Sequence, residues 1–194
     1  ARQMYTEILS ADDMDELCFL LQQAHFKGLS KRLRTAFLTL SISCTPSFSM
    51  PKRKISVLFT LTPFRQAALT DCIDILQYIG SLPNMPHYLQ CRLAETESLL
   101  RLFLLDVPTR ILYLEFSADG QPTFCAASNR VPQLLRSALW NTREPTILTS
   151  GTLTAAGDFD HTEQLLGLAA YAPLRHFRAE SPFDYRKKCL LYIP

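Results

Sequence analysis

The chain has 194 residues, nearly half of them hydrophobic and a fifth charged, which is enough apolar material to bury a core and excludes wholesale disorder. A net charge of only +2 excludes the overall field of a dedicated nucleic-acid-binding domain. No apolar run approaches the roughly 20 residues of a membrane span, since even Leu99 to Leu105 is broken by Arg101; a monomeric cytoplasmic protein is expected, with no membrane contact.

In chain order, Met14, Leu17, Cys18, Leu21 and Ala24 recur at helical spacing, with Ser10 and Asp13 as a capping pair and Gly28 as the expected stop. Leu29, Leu33, Ala36, Phe37 and Leu40 continue a helical stripe, with Lys31, Arg32 and Arg34 on the solvent side. Ser41 to Lys54 has loop chemistry and is the segment expected to be disordered. Ile55 to Leu61 is compatible with strand or helix. Thr62-Pro63 then starts a helix through Phe64, Ala68, Cys72, Ile75 and Ile79 that ends at Gly80. Leu89, Leu93, Leu100, Phe103 and Leu104 predict another long helix, closed before Pro108. From Arg110 the texture alternates: Ile111 to Phe116 and Thr123 to Ala126 predict two strands joined at Asp119-Gly120. Ser128 or Asn129 caps a helix with Pro132 in its first turn. Thr146 to Leu153 is β-branched and apolar, follows Pro145, and predicts a buried strand delivering the polar loop Ser150-Gly151-Thr152. Asp158 to Leu168 predicts a short helix ended by Gly167, and His176 to Glu180 an extended stretch.

The expected class is therefore mainly α with an α/β portion: a helical module over residues 1–108, then a piece with few strands and an incomplete sheet. The chain begins at Ala1 without Met, inside what reads as an element, and stops after the strand-like Cys189 to Ile193, so a piece of a longer protein is expected.

Candidate chemistry is sparse. A nucleotide cradle needs clustered glycines and usually a lysine, and neither G-x-x-x-x-G-K-[ST] nor G-x-G-x-x-G occurs. Asp158, Asp160, His161 and Glu163 read as helix first-turn charges rather than a metal site. Cys18, Cys44, Cys72, Cys91, Cys125 and Cys189 are scattered with no Cys-x-x-Cys, and read as reduced thiols without histidine partners. The charge pattern is more informative. No acidic residue lies between Glu16 and Asp71, while Lys27, Lys31, Arg32, Arg34, Lys52, Arg53, Lys54 and Arg65 all do, interleaved with Phe26, Phe37, Phe48, Phe59 and Phe64. One-signed fields attract phosphate and exposed aromatics stack on bases, although most of these phenylalanines are expected in the core.

Ile147-Leu148-Thr149-Ser150-Gly151-Thr152-Leu153, Phe159, Leu166-Gly167-Leu168, Ser181-Pro182-Phe183-Asp184-Tyr185 and Leu190 to Pro194, in this order, resemble the DinG/XPD-like family of superfamily 2 DNA helicases. The resemblance covers roughly residues 110 to 194. It implies that Ser150, Gly151, Thr152 and Leu153 are motif III of a first motor domain (residues 109–180), and that residues 181–194 begin the crossing to a second. Residues 1–108 would be the arch, a helical insertion following the DEAH box, and Ala1-Arg2-Gln3 would continue the helix after that box. The family implies an ATP-dependent DNA helicase using ATP and Mg at sites outside this chain, with the chain itself catalytically inactive. Single-stranded DNA would pass beneath the arch, with Lys27, Lys31, Arg32, Arg34, Lys52, Arg53 and Lys54 as contacts. The family's iron–sulfur cysteines precede the DEAH box when present, so this chain does not report on a cluster. A helical protein-interaction module is the alternative reading.

Overall fold

The computed structural model describes residues 6–46, 54–105, 107–116, 120–142, 144–150, 152–154, 158–169 and 174–179. The elements in order are β1 (Thr6–Leu9), α1 (Ala11–Gln23), α2 (Lys27–Cys44), β2 (Ile55–Leu58), α3 (Pro63–Gly80), α4 (His87–Leu105), β3 (Arg110–Phe116), β4 (Pro122–Ser128), α5 (Val131–Ala138), a 3₁₀ turn (Trp140–Thr142) and α6 (Asp160–Leu166). The fold is mainly helical with one small sheet, the expected class. Its contacts divide it into two units, Ala1–Arg130 and Val131–Pro194.

In the first unit, helix starts follow local chemistry. Ser10 Oγ accepts from the Asp13 amide at 3.2 Å and Asp13 Oδ2 accepts from the Ser10 amide at 2.8 Å, a reciprocal capping box that satisfies two otherwise orphaned donors. Thr62 Oγ1 accepts from the Arg65 amide at 3.3 Å, with Pro63 in the first helical position, where its missing N–H costs nothing. The stop of α1 differs from expectation. It falls at Ala24 and His25 rather than Gly28, because His25 adopts φ 68° and the Phe26 amide closes on Leu21 O at 2.8 Å. Histidine is among the side chains that tolerate this left-handed region, so no glycine is required, and Gly28 lies within the first turn of α2. That helix also takes the first four residues of the segment expected to be a disordered loop, and residues 47–53 of that segment lie outside the described residues.

The sheet has strand order β1-β4-β3-β2 with every pair antiparallel. Ile55–Leu58 is thus a strand, fixed by pairing Val57 to Leu114 and Leu58 to Tyr113. Alternate residues Leu9, Phe124 and Leu114 sit in register across three strands and join the helical core, as the two-residue period of a strand demands. Helices α1 to α4 pack as successive neighbours, and α4 touches β1 and β3. Aromatic rings weld the layers: Phe103 of α4 meets Phe124 edge-on at 5.3 Å and Phe59 at 5.0 Å, and Phe37 of α2 lies 5.9 Å from Phe124. Burial stabilises each such ring by about 1.5–3 kcal/mol. Phe37 and Phe59 therefore belong to the core side of the ledger, Phe26 is half-buried, Phe64 is exposed and Phe48 lies outside the described residues.

The sheet spans residue 108: β3 and β4 follow that position and pair with β1 and β2, which precede it, and the contacts divide the chain after Arg130.

In the second unit, α5 carries Pro132 in its first turn as expected, and α6 ends at Gly167 with φ 73°. The Arg136 guanidinium of α5 donates to Gly167 O at 2.8 Å and to Ala169 O at 2.7 Å, and Trp140 Nε1 donates to Leu166 O at 2.7 Å. These donors satisfy carbonyls that the end of α6 leaves without intrahelical partners. The acidic cluster here is absorbed by the same local structure: Asp158 Oδ1 accepts from the Asp160 amide at 3.3 Å, and Glu163 pairs with His176 at 2.7 Å. The expected buried strand over Thr146 to Leu153 is overturned. Residues 144–150 take neither helix nor strand, and Ile147 is 91 % exposed. A β-branched run becomes a strand only against a neighbour that receives its backbone hydrogen bonds, and among the described residues no strand pairs with it.

Candidate nucleic-acid interface

Helix α2 presents the basic window. Its buried stripe of Ser30, Leu33, Ala36, Phe37, Leu40, Ser41 and Cys44 faces the core, and Ser30 seats it closely against α1, donating to Cys18 O at 2.8 Å while accepting from Gln22 Nε2 at 3.2 Å. This fixes what points outward. Lys27, Lys31 and Thr35, four residues apart, share the exposed face with Arg32 and Thr39 beside them, while Leu38 and Ile42 continue that face as an exposed apolar end. The helix has no acidic residue in its first turn and no side-chain cap, so nothing in that turn offsets the cations.

Alongside this face, a groove of about 350 Å³ is lined by Lys31, Arg32, Thr35 and Thr39 of α2 and by Asp71 and Ile75 of α3. The hydroxyls of Thr35 and Thr39 donate to Lys31 O at 3.0 Å and Thr35 O at 3.1 Å, leaving their oxygens as acceptors only. The guanidinium and ammonium groups are thus the donors available to an anion. Asp71, which ends the acid-free window in sequence, opposes them across the groove and leaves one net positive charge among the groove-lining side chains.

The seven expected contact residues separate into three groups. Lys27, Lys31 and Arg32 are exposed and form no ion pair among the described residues. Arg34 is turned toward α1, where it pairs with Asp15 at 3.0 Å, and Lys54 is paired with the buried carboxylate of Glu115, which also accepts from Ser56 Oγ at 3.4 Å. Lys52 and Arg53 lie outside the described residues. Arg65 is structural: it donates to Ser43 O at 3.1 Å and Thr60 O at 2.7 Å and lies over the Phe59 ring. The partners that neutralise Arg34 and Lys54 sit outside the acid-free window, which is why a linear charge count overstates the field. Thr35, Thr39, Asp71 and Ile75 were missed as groove residues; the four-residue spacing from Lys31 to Thr39 was the available signal.

In the motif-like loop, Ser150 and Thr152 are both exposed, their hydroxyls 3.1 Å apart, and Ser150 Oγ accepts from the Thr152 amide at 3.2 Å. Leu153 is half-buried and Gly151 lies outside the described residues. The two hydroxyls thus close a local contact within an exposed loop.

Among the described residues the thiols are structural with one exception, and Cys189 lies outside them. Burial pushes the Cys72 thiol up to about 12 and raises those of Cys18 and Cys44. Cys125 is buried as well. Cys91 is exposed and, against expectation, has a histidine partner: His87, one helical turn earlier, places Nδ1 3.7 Å from its sulfur. Among the described residues no group of three or more His, Cys, Asp or Glu side chains is placed to hold a metal ion, and no helix is long and apolar enough to cross a membrane. The chain's six glycines are isolated and none precedes a lysine, so the sequence carries no phosphate-loop motif.

A mainly helical unit with an exposed row of cations, followed by a segment carrying Ser-Gly-Thr-Leu, is the class that fold and site define, and comparison with known proteins agrees with the expected kinship. The chain matches curated homologues named DinG: it is 31% identical over 121 residues to the 3'-5' exonuclease DinG of Bacillus subtilis, covering 61% of this chain and 12% of that protein. It is 40% identical over 63 residues to the ATP-dependent helicase DinG of Mycobacterium tuberculosis, covering 32% of this chain and 9% of that protein, with the same figures for Mycobacterium bovis. The chain thus spans about a tenth of the length of these relatives. No family description and no solved structure matches it.

Proposed function

We propose that this chain is the part of a DinG-type ATP-dependent DNA helicase that holds single-stranded DNA near the motor. The unit ending at Arg130 is the arch-like insertion, with the β3–β4 hairpin included because it completes the sheet. Residues 131–180 are the end of the first motor domain and 181–194 the crossing to the second. Ser150, Gly151, Thr152 and Leu153 link the state of ATP, bound with Mg by residues outside this chain, to the grip on DNA; the exposure of the Ser150 and Thr152 hydroxyls supports this reading. By this reading the chain alone has no helicase activity.

The observation that carries the proposal is the exposed row Lys27, Lys31 and Arg32 on α2, without ion-pair partners among the described residues, in a chain whose relatives are named as an exonuclease and an ATP-dependent helicase. Phosphate contacts release counterions, so affinity for a single strand falls with salt by a log–log slope of about 0.7 per phosphate neutralised. Replacing all three by Gln is expected to lower that slope for oligothymidylate by about 2, whereas Arg34→Gln, already paired to Asp15, leaves it nearly unchanged. Equal slopes for the wild type and the triple variant would refute the assignment. The apolar end of the same face, Leu38 and Ile42 at 52% and 63% exposed, supports the interaction-module reading instead. That reading expects no oligonucleotide binding at any salt concentration.

A further inference from the structure

The second unit holds an aromatic side chain in an unusual place. Phe177 is 89% exposed, in a segment (residues 174–179) that takes neither helix nor strand, and it sits between Arg175 and Arg178, both exposed and without ion pairs among the described residues. Its neighbour His176 is anchored. The His176 ring stacks on Phe159 at 4.4 Å with a 14° interplanar angle, and its Nε2 lies 2.7 Å from Glu163 Oε1. Phe159 is the N-cap residue of α6 and Glu163 lies inside that helix, so the segment is pinned to a regular element one residue before the exposed ring. The pin holds the backbone in place while leaving Phe177 in solvent.

We propose that Arg175, Phe177 and Arg178 form a stacking platform for one base of a single-stranded nucleic acid, with the phenyl ring against the base and the two guanidinium groups on the flanking phosphates. The chemistry selects this occupant. A flat apolar ring exposed in a segment with one exposed arginine two residues before it and another directly after it complements a polymer that alternates aromatic faces with negative charges, and every base has a face to offer, so the platform is indifferent to sequence. An apolar protein surface would cover the ring but leave both cations without counter-charges. The platform rests on the single-strand reading proposed above and extends it to the second unit, adding a contact to bases where α2 offers contacts to phosphates.

The test uses the 194-residue chain and two probes of equal length, oligothymidylate and an abasic deoxyribose-phosphate strand, with affinity measured by fluorescence anisotropy. Phe177→Ala is expected to weaken binding of oligothymidylate by about 5- to 150-fold, the range for losing one stacked base, and to leave the abasic strand unaffected. Phe177→Tyr keeps the ring and is expected to keep the affinity. Arg175→Gln with Arg178→Gln is expected to lower the salt slope for both probes by about 1.4. If Phe177→Ala binds oligothymidylate like the wild type, or weakens both probes alike, the platform is refuted while α2 can still bind phosphate. If the wild type binds neither probe, the single-strand reading itself fails and the platform falls with it.

Discussion

Gly167→Ala tests how the second unit is held together. Gly167 caps α6 at φ 73°, and a Cβ there would fall inside the van der Waals shell of the Pro132 carbonyl oxygen and 2.7 Å from its carbon. Two costs follow. An alanine in the left-handed region costs about 1–2 kcal/mol. The clash is with backbone rather than with a flexible side-chain tip, so α5 and α6 must separate, which strains the bonds from Arg136 to Gly167 O and from Trp140 to Leu166 O. At about 1 kcal/mol net for each bond, less the roughly 0.4–1 kcal/mol that alanine gains by restricting the unfolded chain, the expected loss is about 2–4 kcal/mol. Trp140 is the chain's single tryptophan, buried in this unit and bonded to the α6 terminus, so its fluorescence in a urea titration reports on the perturbed contact directly. Gly167→Asn separates the two costs. Asparagine tolerates a positive φ but carries the same Cβ, so it should be nearly as damaging as alanine if the close approach to Pro132 dominates. A midpoint unchanged by alanine would refute both terms, and full rescue by asparagine would refute the packing term.

Two further expectations concern the first unit. Ser10→Ala removes one half of the capping box of α1 and should cost about 1 kcal/mol in a urea titration followed by far-ultraviolet circular dichroism; an unaltered midpoint would show that Ser10 contributes nothing as a cap. Burial raises the Cys72 thiol from 9.0 to about 12, so the unfolded chain loses this proton first; the associated stability is fully present below about pH 9 and is lost as pH rises toward 12. Between about pH 9 and about pH 10 the wild type should lose on the order of 1 kcal/mol more than Cys72→Ala, and parallel profiles would contradict the assignment.

What could be read from the sequence follows the range of the interaction responsible. The capping pair Ser10 and Asp13, the Thr62-Pro63 start of α3 and the glycines ending α3 and α6 are contacts within a few residues, and each formed as expected. β1 went unread because four residues carry no periodic signal, and it exists only by pairing with β4, more than a hundred residues later. The stop of α1 was misplaced because glycine is the usual residue at positive φ, whereas His25 occupies it here with a backbone closure that leaves no mark in composition. The basic window was legible as a count but not as a field, since Asp15 and Glu115 remove two of its charges through contacts no linear reading contains.

The exposed run before Ser150 obeys the same logic from the other side. Thr146 to Thr149 has every local property of a buried strand, yet local propensity is only a preference for a half-buried pleated surface, and here none is offered among the described residues. The run therefore keeps its hydrophobic side chains in solvent, with Ile147 91% and Leu148 42% exposed, while the turn made by Ser150 and Thr152 forms regardless because its bonds are local. In the proposed helicase, burial of Ile147 and presentation of the two hydroxyls are a single event. A sheet neighbour that accepts the backbone of this run would cover Ile147 and, by fixing the strand end, aim Ser150 and Thr152 at their partner. By that proposal the coupling role depends on such a neighbour, while the proposed phosphate contacts of α2 lie within a single unit.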